Sequence, residues 1–317
     1  MSQPTSAALV ERRKKPQSAL QKNISRDKYL LILLAPAVIF FFIFSYIPMY
    51  GVVIAFQRFT FGRGIFGSEW VGFRWFGQFF GSMFFYRLMR NTFLLSIYSL
   101  LWGFWVPILF ALMLNELRNQ VFRRIVQTIS YFPYFISVVV AMGIVVNMLQ
   151  LQDGVVNNLL RDLGREPIEF LQKAEWFRTI YITSGIWQSF GFSSIIYIGA
   201  ISSIDPQLYE AARVDGASRI RQIVHVTLPG ILPVAVTLLI LSIGNILNVG
   251  FEKIILLYNP ATYEVADVIS TYVYRKGLVD SQFSFGAAVG LFNSALNLFF
   301  LGMANALSKR ALGIQLF

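Results

Sequence analysis

Six long apolar stretches, without a charge in their inner parts, decide what this chain can fold into. They run roughly over residues 29–56, 92–117, 125–149, 179–201, 228–249 and 286–307. Each meets the ~20 residues that a bilayer core asks of one helix. Glu116 sits at the very end of the second. Hydrophobic residues make up 56% of the 317 positions, charged residues 14%, and Phe alone occurs 31 times. A soluble fold could not bury that much apolar surface. The expected class is therefore an all-α membrane protein with six transmembrane helices. Pro36, Pro48, Pro107, Pro133 and Pro233 fall inside these stretches, which membrane helices tolerate where neighbouring groups satisfy the freed carbonyls.

Residues 1–28 carry Arg12, Arg13, Lys14, Lys15, Lys22, Arg26 and Lys28 against Glu11 and Asp27. The apolar run that follows is too long for a signal peptide and lacks a small-x-small cleavage site, so it reads as a retained first span. The residues after it, 29–317, form the six-helix membrane domain. Placing the basic tail in the cytoplasm also puts Arg118, Arg123, Arg124, Arg213, Arg219, Arg221, Lys309 and Arg310 on the inner side. Lys and Arg are then in excess inside, and both termini are cytoplasmic. An anionic inner leaflet accounts for the net charge of +11, so no nucleic-acid partner is called for. The first outer loop is basic too, with Arg58, Arg63, Arg74, Arg87 and Arg90 against Glu69. Lipid head groups or partner subunits account for it more simply than an anionic substrate or an acidic face on a binding protein.

Cysteine is absent, which removes disulfides, thiolate metal sites and cysteine nucleophiles. The one histidine, His225, has no second ligand nearby and reads as a surface or packing residue, so no metal site is expected. Asp267 and Asp280 are isolated along the chain, and no catalytic residue is assigned. A membrane-embedded enzyme is disfavoured on that ground. An ion-coupled secondary transporter is the other alternative, but it would need a titratable group deep in a span. No Gly-x-x-x-x-Gly-Lys-Ser/Thr string occurs either, so the chain does not bind ATP in the P-loop manner. Both absences place the energy source on another polypeptide.

Between the fourth and fifth spans, at about 202–227, lies a polar island. Asp205 and Pro206 form a helix start, as N-cap and first helical residue. A short amphipathic helix follows to about Val214, and Gly216 is suited to the left-handed conformation that closes it. A second short helix through Ile220, Ile223 and Val224 leads to Leu228-Pro229. The string Glu210-Ala211-Ala212, Asp215-Gly216-Ala217 and Leu228-Pro229 resembles the "EAA" loop of the permease subunits of ATP-binding-cassette (ABC) importers. Val226 stands where that family usually has isoleucine. The resemblance implies the type I importer permease fold, with a cytoplasmic coupling helix that docks in a groove on the ATPase.

Polar residues recur at helical spacing in the later spans. Gly286, Gly290, Asn293 and Asn297 share one face, as do Asn245 and Asn248 with Ser242 nearby, and Ser184, Gln188 and Gly191. Amides and hydroxyls both donate and accept hydrogen bonds, as a neutral sugar requires; the same groups also serve helix packing. Gln188, Asn245, Asn248, Asn293 and Asn297 are the candidates for a substrate path. The loop from Gly250 through Asn259-Pro260 to Leu278, with Tyr46-Ile47-Pro48-Met49-Tyr50-Gly51 and Arg90-Asn91-Thr92, is similar to carbohydrate ABC permeases of the lipo-oligosaccharide or polysaccharide type. That resemblance implies a second, non-identical permease subunit, an ATPase dimer that holds ATP and magnesium, an extracytoplasmic solute-binding protein and a carbohydrate substrate. Acidic glycans such as alginate or pectin fragments are among the substrates it implies. It implies no cofactor on this chain and a place in the cytoplasmic (inner) membrane.

Overall fold

The computed structural model describes residues 28–312. The basic tail therefore lies outside the described residues except for Lys28, which opens the first helix. The chain divides at Val52–Val53 into two compact units. In the first, helix α1 (Lys28–Phe41) passes through a π turn (Phe42–Tyr46) into Ile47–Met49. Pro48 follows closely on the π turn, inside a continuous helical run.

The second unit opens with a two-residue hairpin, β1 (Gln57–Arg58) against β2 (Glu69–Trp70), antiparallel with Gln57 opposite Trp70. Helices α2 (Arg74–Phe80), α3 (Phe85–Glu116), α4 (Gln120–Tyr131), α5 (Val138–Leu149) and α6 (Val155–Asp162) follow. Then come α7 (Ala174–Ser202), α8 (Pro206–Val214), α9 (Arg219–Gln222) and α10 (Leu228–Gly244). The chain finishes with α11 (Phe251–Leu257), α12 (Ile269–Val273) and α13 (Phe283–Leu312). Among the described residues, four helical runs are long and apolar enough to cross a membrane by themselves: Lys28–Phe56, Phe85–Glu116, Arg219–Gly244 and Phe283–Arg310. The 29-residue α7 has the length but carries more polar side chains.

The second and fourth expected spans begin earlier than expected, at Phe85 and Ala174, and the third and fifth differ more, because the backbone ladder is cut inside an apolar stretch. The third begins at Gln120, not at 125, because Asn119 caps it by accepting from the amides of Val121 and Phe122. It then bends by 104° between Gln120–Phe135 and Val138–Leu149. Pro133 starts a 3-10 turn there, and Ser137 caps the helix that resumes. The fifth expected span, 228–249, starts earlier and ends earlier. A π turn (Ile223–Thr227) joins α9 directly to α10, and the helix stops at Gly244.

Among the described residues, four apolar clusters hold the second unit together, the smallest joining Val236 and Ile240 of α10 to Ala304 of α13. The largest joins Leu95 of α3, Met142 of α5, Phe177 and Tyr181 of α7, and Ile254 and Leu257 of α11. Phe79, Leu88, Tyr272, Phe285 and Val289 form the second, and Ile108, Tyr197, Ile201 and Ile231 the third. Gly191 lets α7 press onto α4, since a Cβ there would fall 2.1 Å from the Ser130 carbonyl oxygen. Gly286 does the same against Gly277, at 2.7 Å from its Cα.

The Arg90-Asn91-Thr92 triplet has a structural explanation. Arg90 and Asn91 both donate to the Glu264 carbonyl, Asn91 also to that of Asp267, and the Thr92 hydroxyl accepts from the Ile269 amide. Three consecutive residues thus clamp the 264–269 segment to the start of α3. Asp267, isolated in sequence, is fully buried and paired with two arginines, Arg87 at 3.2 Å and Arg275 at 2.7 Å. Asp280 is paired as well, with Lys276 at 2.8 Å.

Candidate functional site

A cavity of about 650 Å³ lies among α3, α7, α10 and the turns that follow α10. Ser96 and Ser99 come from α3, Tyr181 and Phe192 from α7, Tyr134 from the α4–α5 break, and Ser242, Asn245 and Asn248 from the end of α10 and its turn. Tyr134 and Phe192 stack at 3.9 Å with their planes 4° apart, giving the wall an aromatic face.

The end of α10 shows why asparagines gather here. Stopping the helix at Gly244 leaves amides of the turn beyond it without helical acceptors. Asn245 and Asn248 are therefore not on a helix face as expected from their spacing, but in the turn beyond it. The Leu247 amide is satisfied by Asn297 Oδ1 of α13 at 3.0 Å, and the Gly250 amide by the Tyr181 hydroxyl at 3.1 Å. The amide chain then runs outward. Asn297 and Asn293 both donate to Asn248 Oδ1, at 3.1 and 3.2 Å. Asn248 donates to Asn245 Oδ1 at 3.3 Å, and Asn245 only to Leu241 O at 3.5 Å. Asn297 is buried and structural, whereas Asn245 and Asn248 are exposed on the cavity wall. Four of the five path candidates are thus brought into one network. Gln188 is elsewhere: its amide donates to the Ile136 carbonyl at 3.1 Å, across the α4–α5 break. Its neighbours on that helix face are also engaged in packing, with Ser184 donating to Ile180 O and Gly191 against Ser130.

Sequence reasoning did not single out Lys253. It is 9% exposed on α11, and its ammonium donates to the Tyr181 carbonyl and lies 4.4 Å from the centre of that ring. Burial pushes its pKa from 10.5 down to about 7. Between about 7 and 10.5 the unfolded chain therefore binds more protons than the folded one, so stability rises with pH across that window and is insensitive to this group below it. Thermal midpoints of the protein between about pH 6 and 9 should climb with pH, and Lys253→Met should flatten that climb. Identical slopes for the two proteins would refute this role for Lys253.

The loop site is built as its sequence indicates. Asp205 accepts from the Gln207 amide at 2.9 Å and Pro206 opens α8. Gly216 has φ +74°. The Ala217 amide reaches back to Ala212 O at 2.8 Å and that of Gly216 to Arg213 O at 3.1 Å, the paired bonds of a Schellman closure. Tyr209 and Thr227 hydroxyls meet at 3.0 Å, and Arg219 pairs with Glu116 at 3.4 Å. The first contact ties α8 to the π turn before α10, and the second ties α9 to the end of α3. Glu210, Ala211, Asp215 and Gly216 are exposed, Ala212 and Ala217 half-buried. Leu228 and Pro229 begin α10. Apolar side chains stand out beside them, with Val214 88% and Ile220 74% exposed. His225 places Nδ1 3.0 Å from Arg221 O.

Comparison with known proteins agrees with this arrangement. Residues 103–313 match the family described as "Binding-protein-dependent transport system inner membrane component". The polygalacturonan/rhamnogalacturonan transport system permease protein YteP of Bacillus subtilis (strain 168) is 45% identical over 307 residues, covering 97% of this chain and 95% of that protein. Protein LplB of the same organism is 41% identical, covering 90% of each. Among solved structures, a bacterial ABC transporter involved in import of the acidic polysaccharide alginate superposes with a TM-score of 0.86 at 48% identity, over 92% of this chain and 99% of that one. A further structure, the alginate transporter in complex with alginate pentasaccharide-bound periplasmic protein, gives 0.86 at 47% identity, over 94% of this chain and 99% of that one. With the membrane-length helices, the short capped helix of the loop and these matches together, the chain belongs to the inner membrane components of binding-protein-dependent transport systems, the permease subunits of ABC importers.

Proposed function

We propose that this chain is one of two permease subunits of an ATP-driven importer of oligo- or polysaccharide, with acidic glycans as the substrate class. The observation that carries the reading is the cavity wall of exposed Asn245 and Asn248. It offers amide donors and acceptors to sugar hydroxyls, and Tyr134 and Phe192 beside them offer an aromatic face. Similarity to a permease named for polygalacturonan and rhamnogalacturonan and to an alginate importer supports the acidic class. The partners are a second, non-identical permease subunit, an ATPase dimer and an extracytoplasmic solute-binding protein. ATP and magnesium sit on the ATPase, and this chain holds neither cofactor nor metal. Its termini and the α8 loop face the cytoplasm, where Glu210, Ala211 and Ala212 enter the ATPase groove and the exposed Val214 and Ile220 become covered.

In this account the Asn245 and Asn248 amides exchange water for sugar hydroxyls as the cavity opens first to one side and then the other. Each such hydrogen bond contributes about 0.5–1.5 kcal/mol net. Asn245→Ala should lower uptake per assembled complex by several-fold up to about tenfold, leaving yield unchanged. Asn297→Ala should do the reverse, lowering yield by stranding the Leu247 amide. Asn293→Ala lies between, since it donates to Asn248 from the rim. Normal uptake per complex in both Asn245→Ala and Asn248→Ala would place the sugar path elsewhere.

A further inference from the structure

At the ends of α3 and α7 remote from α8 lies an arginine cluster that its own carboxylates do not neutralise. Arg87 and Arg275 share Asp267. Arg90 and Arg178 have no carboxylate within salt-bridge distance among the described residues. Each is held by neutral acceptors only: Arg178 by Asn91 Oδ1 at 3.3 Å, and Arg90 by the Glu264 carbonyl at 3.4 Å, which Asn91 also engages. Their Nε atoms are buried without a hydrogen-bond partner. Two guanidiniums, linked through Asn91 and the Glu264 carbonyl it shares with Arg90, thus concentrate positive charge at the end of a pair of long helices.

A groove of about 430 Å³ runs from Arg178 along the outside of the same two helices. Tyr98 and Trp102 of α3 form one wall, and Ile182, Thr183 and Ile186 of α7 the other. The residues 178, 182 and 186 are spaced one turn apart, so the guanidinium heads an apolar channel about 12 Å long at roughly 1.5 Å per residue. Trp102 is 52% and Tyr98 40% exposed there, as large amphipathic rings are near a membrane interface.

We propose that this groove binds one anionic phospholipid, with its phosphate on Arg178 and Arg90 and an acyl chain along Tyr98, Trp102, Ile182 and Ile186. Charge complementarity selects the head group, because the site offers two guanidiniums and no carboxylate. Chain length and apolar walls select the tail, since the solvent on these helices is hydrocarbon. A soluble anion would meet the arginines but leave the channel empty. The bound lipid would brace the α3–α7 pair, whose other side carries Ser96, Ser99 and Tyr181 of the cavity.

The test is native mass spectrometry of the assembled transporter, delipidated and then titrated with phosphatidylglycerol or phosphatidylcholine of matched chains. The wild-type complex should keep one phosphatidylglycerol under conditions that strip phosphatidylcholine. Arg178→Gln should lower that retention by about tenfold. Thr183→Trp, at an exposed position that touches none of the arginines, should lower it similarly by filling the channel, which keeps the test decisive if Arg178→Gln assembles poorly. Equal retention of the two lipids, or unchanged retention in Thr183→Trp, would overturn the proposal. So would a Thr183→Cys protein that forms a disulfide with a cysteine placed on a neighbouring subunit, since the groove would then be a subunit contact.

Discussion

Gly216→Val is expected to leave the permease in the membrane and reduce substrate-stimulated ATP hydrolysis by its complex to background. The backbone at Gly216 has φ +74°, and a Cβ there would meet nothing within 4 Å. The obstacle to valine is therefore conformational and not steric crowding. A β-branched residue in the left-handed region costs of order 1–3 kcal/mol, enough to open the Schellman closure and release the end of α8. Gly216→Asn, which tolerates that region, should retain most activity. Ala212→Asp should fail for a different reason, by placing a charge on the half-buried face that, in the proposed docking, the ATPase groove approaches closely. Normal ATP hydrolysis and uptake in both Gly216→Val and Ala212→Asp would remove α8 from the coupling path.

Asp267→Ala should cause the largest loss of stability of any single substitution outside the apolar clusters. Asp267 is fully buried, holds Arg87 and Arg275 through one oxygen, and accepts the Thr271 hydroxyl at 2.8 Å through the other. Removing it strands two mostly buried guanidiniums, and breaking a buried pair in this way costs about 3–5 kcal/mol. The thermal midpoint of the purified complex should fall sharply. Asp267→Asn, which keeps one acceptor oxygen but not the charge, should fall less. A midpoint unchanged in Asp267→Ala would show that solvent already screens these arginines.

Local signals were legible in the sequence and distant ones were not. Asp205, Pro206 and Gly216 each act on their own few residues, so the loop helix could be placed with its cap, start and closure. The apolar stretches also located the membrane helices, because burying that much surface depends on composition alone. Hydropathy does not say where a helix breaks inside an apolar run. The 104° bend after Pro133 and the stop at Gly244 depend on who accepts or donates to the freed backbone. At the second break those partners are Tyr181 and Asn297, the latter 50 positions from Leu247. Asn245 and Asn248 do not share a helix face as their spacing suggests, though they do meet in one network. Asp267 looked solitary because its partners, Arg87 and Arg275, lie 180 and 8 positions away. Lys253 carried no signal beyond being a charge next to an apolar loop.

The proposed ATP-driven sugar import is most directly tested in proteoliposomes holding the assembled complex, with solute-binding protein and labelled acidic oligosaccharide outside and ATP inside. No group in the inner parts of the membrane stretches can carry a coupled proton, so uptake should require ATP and continue at an unchanged rate when an uncoupler collapses the proton gradient. Uptake that proceeds without ATP and stops on adding the uncoupler would contradict the account.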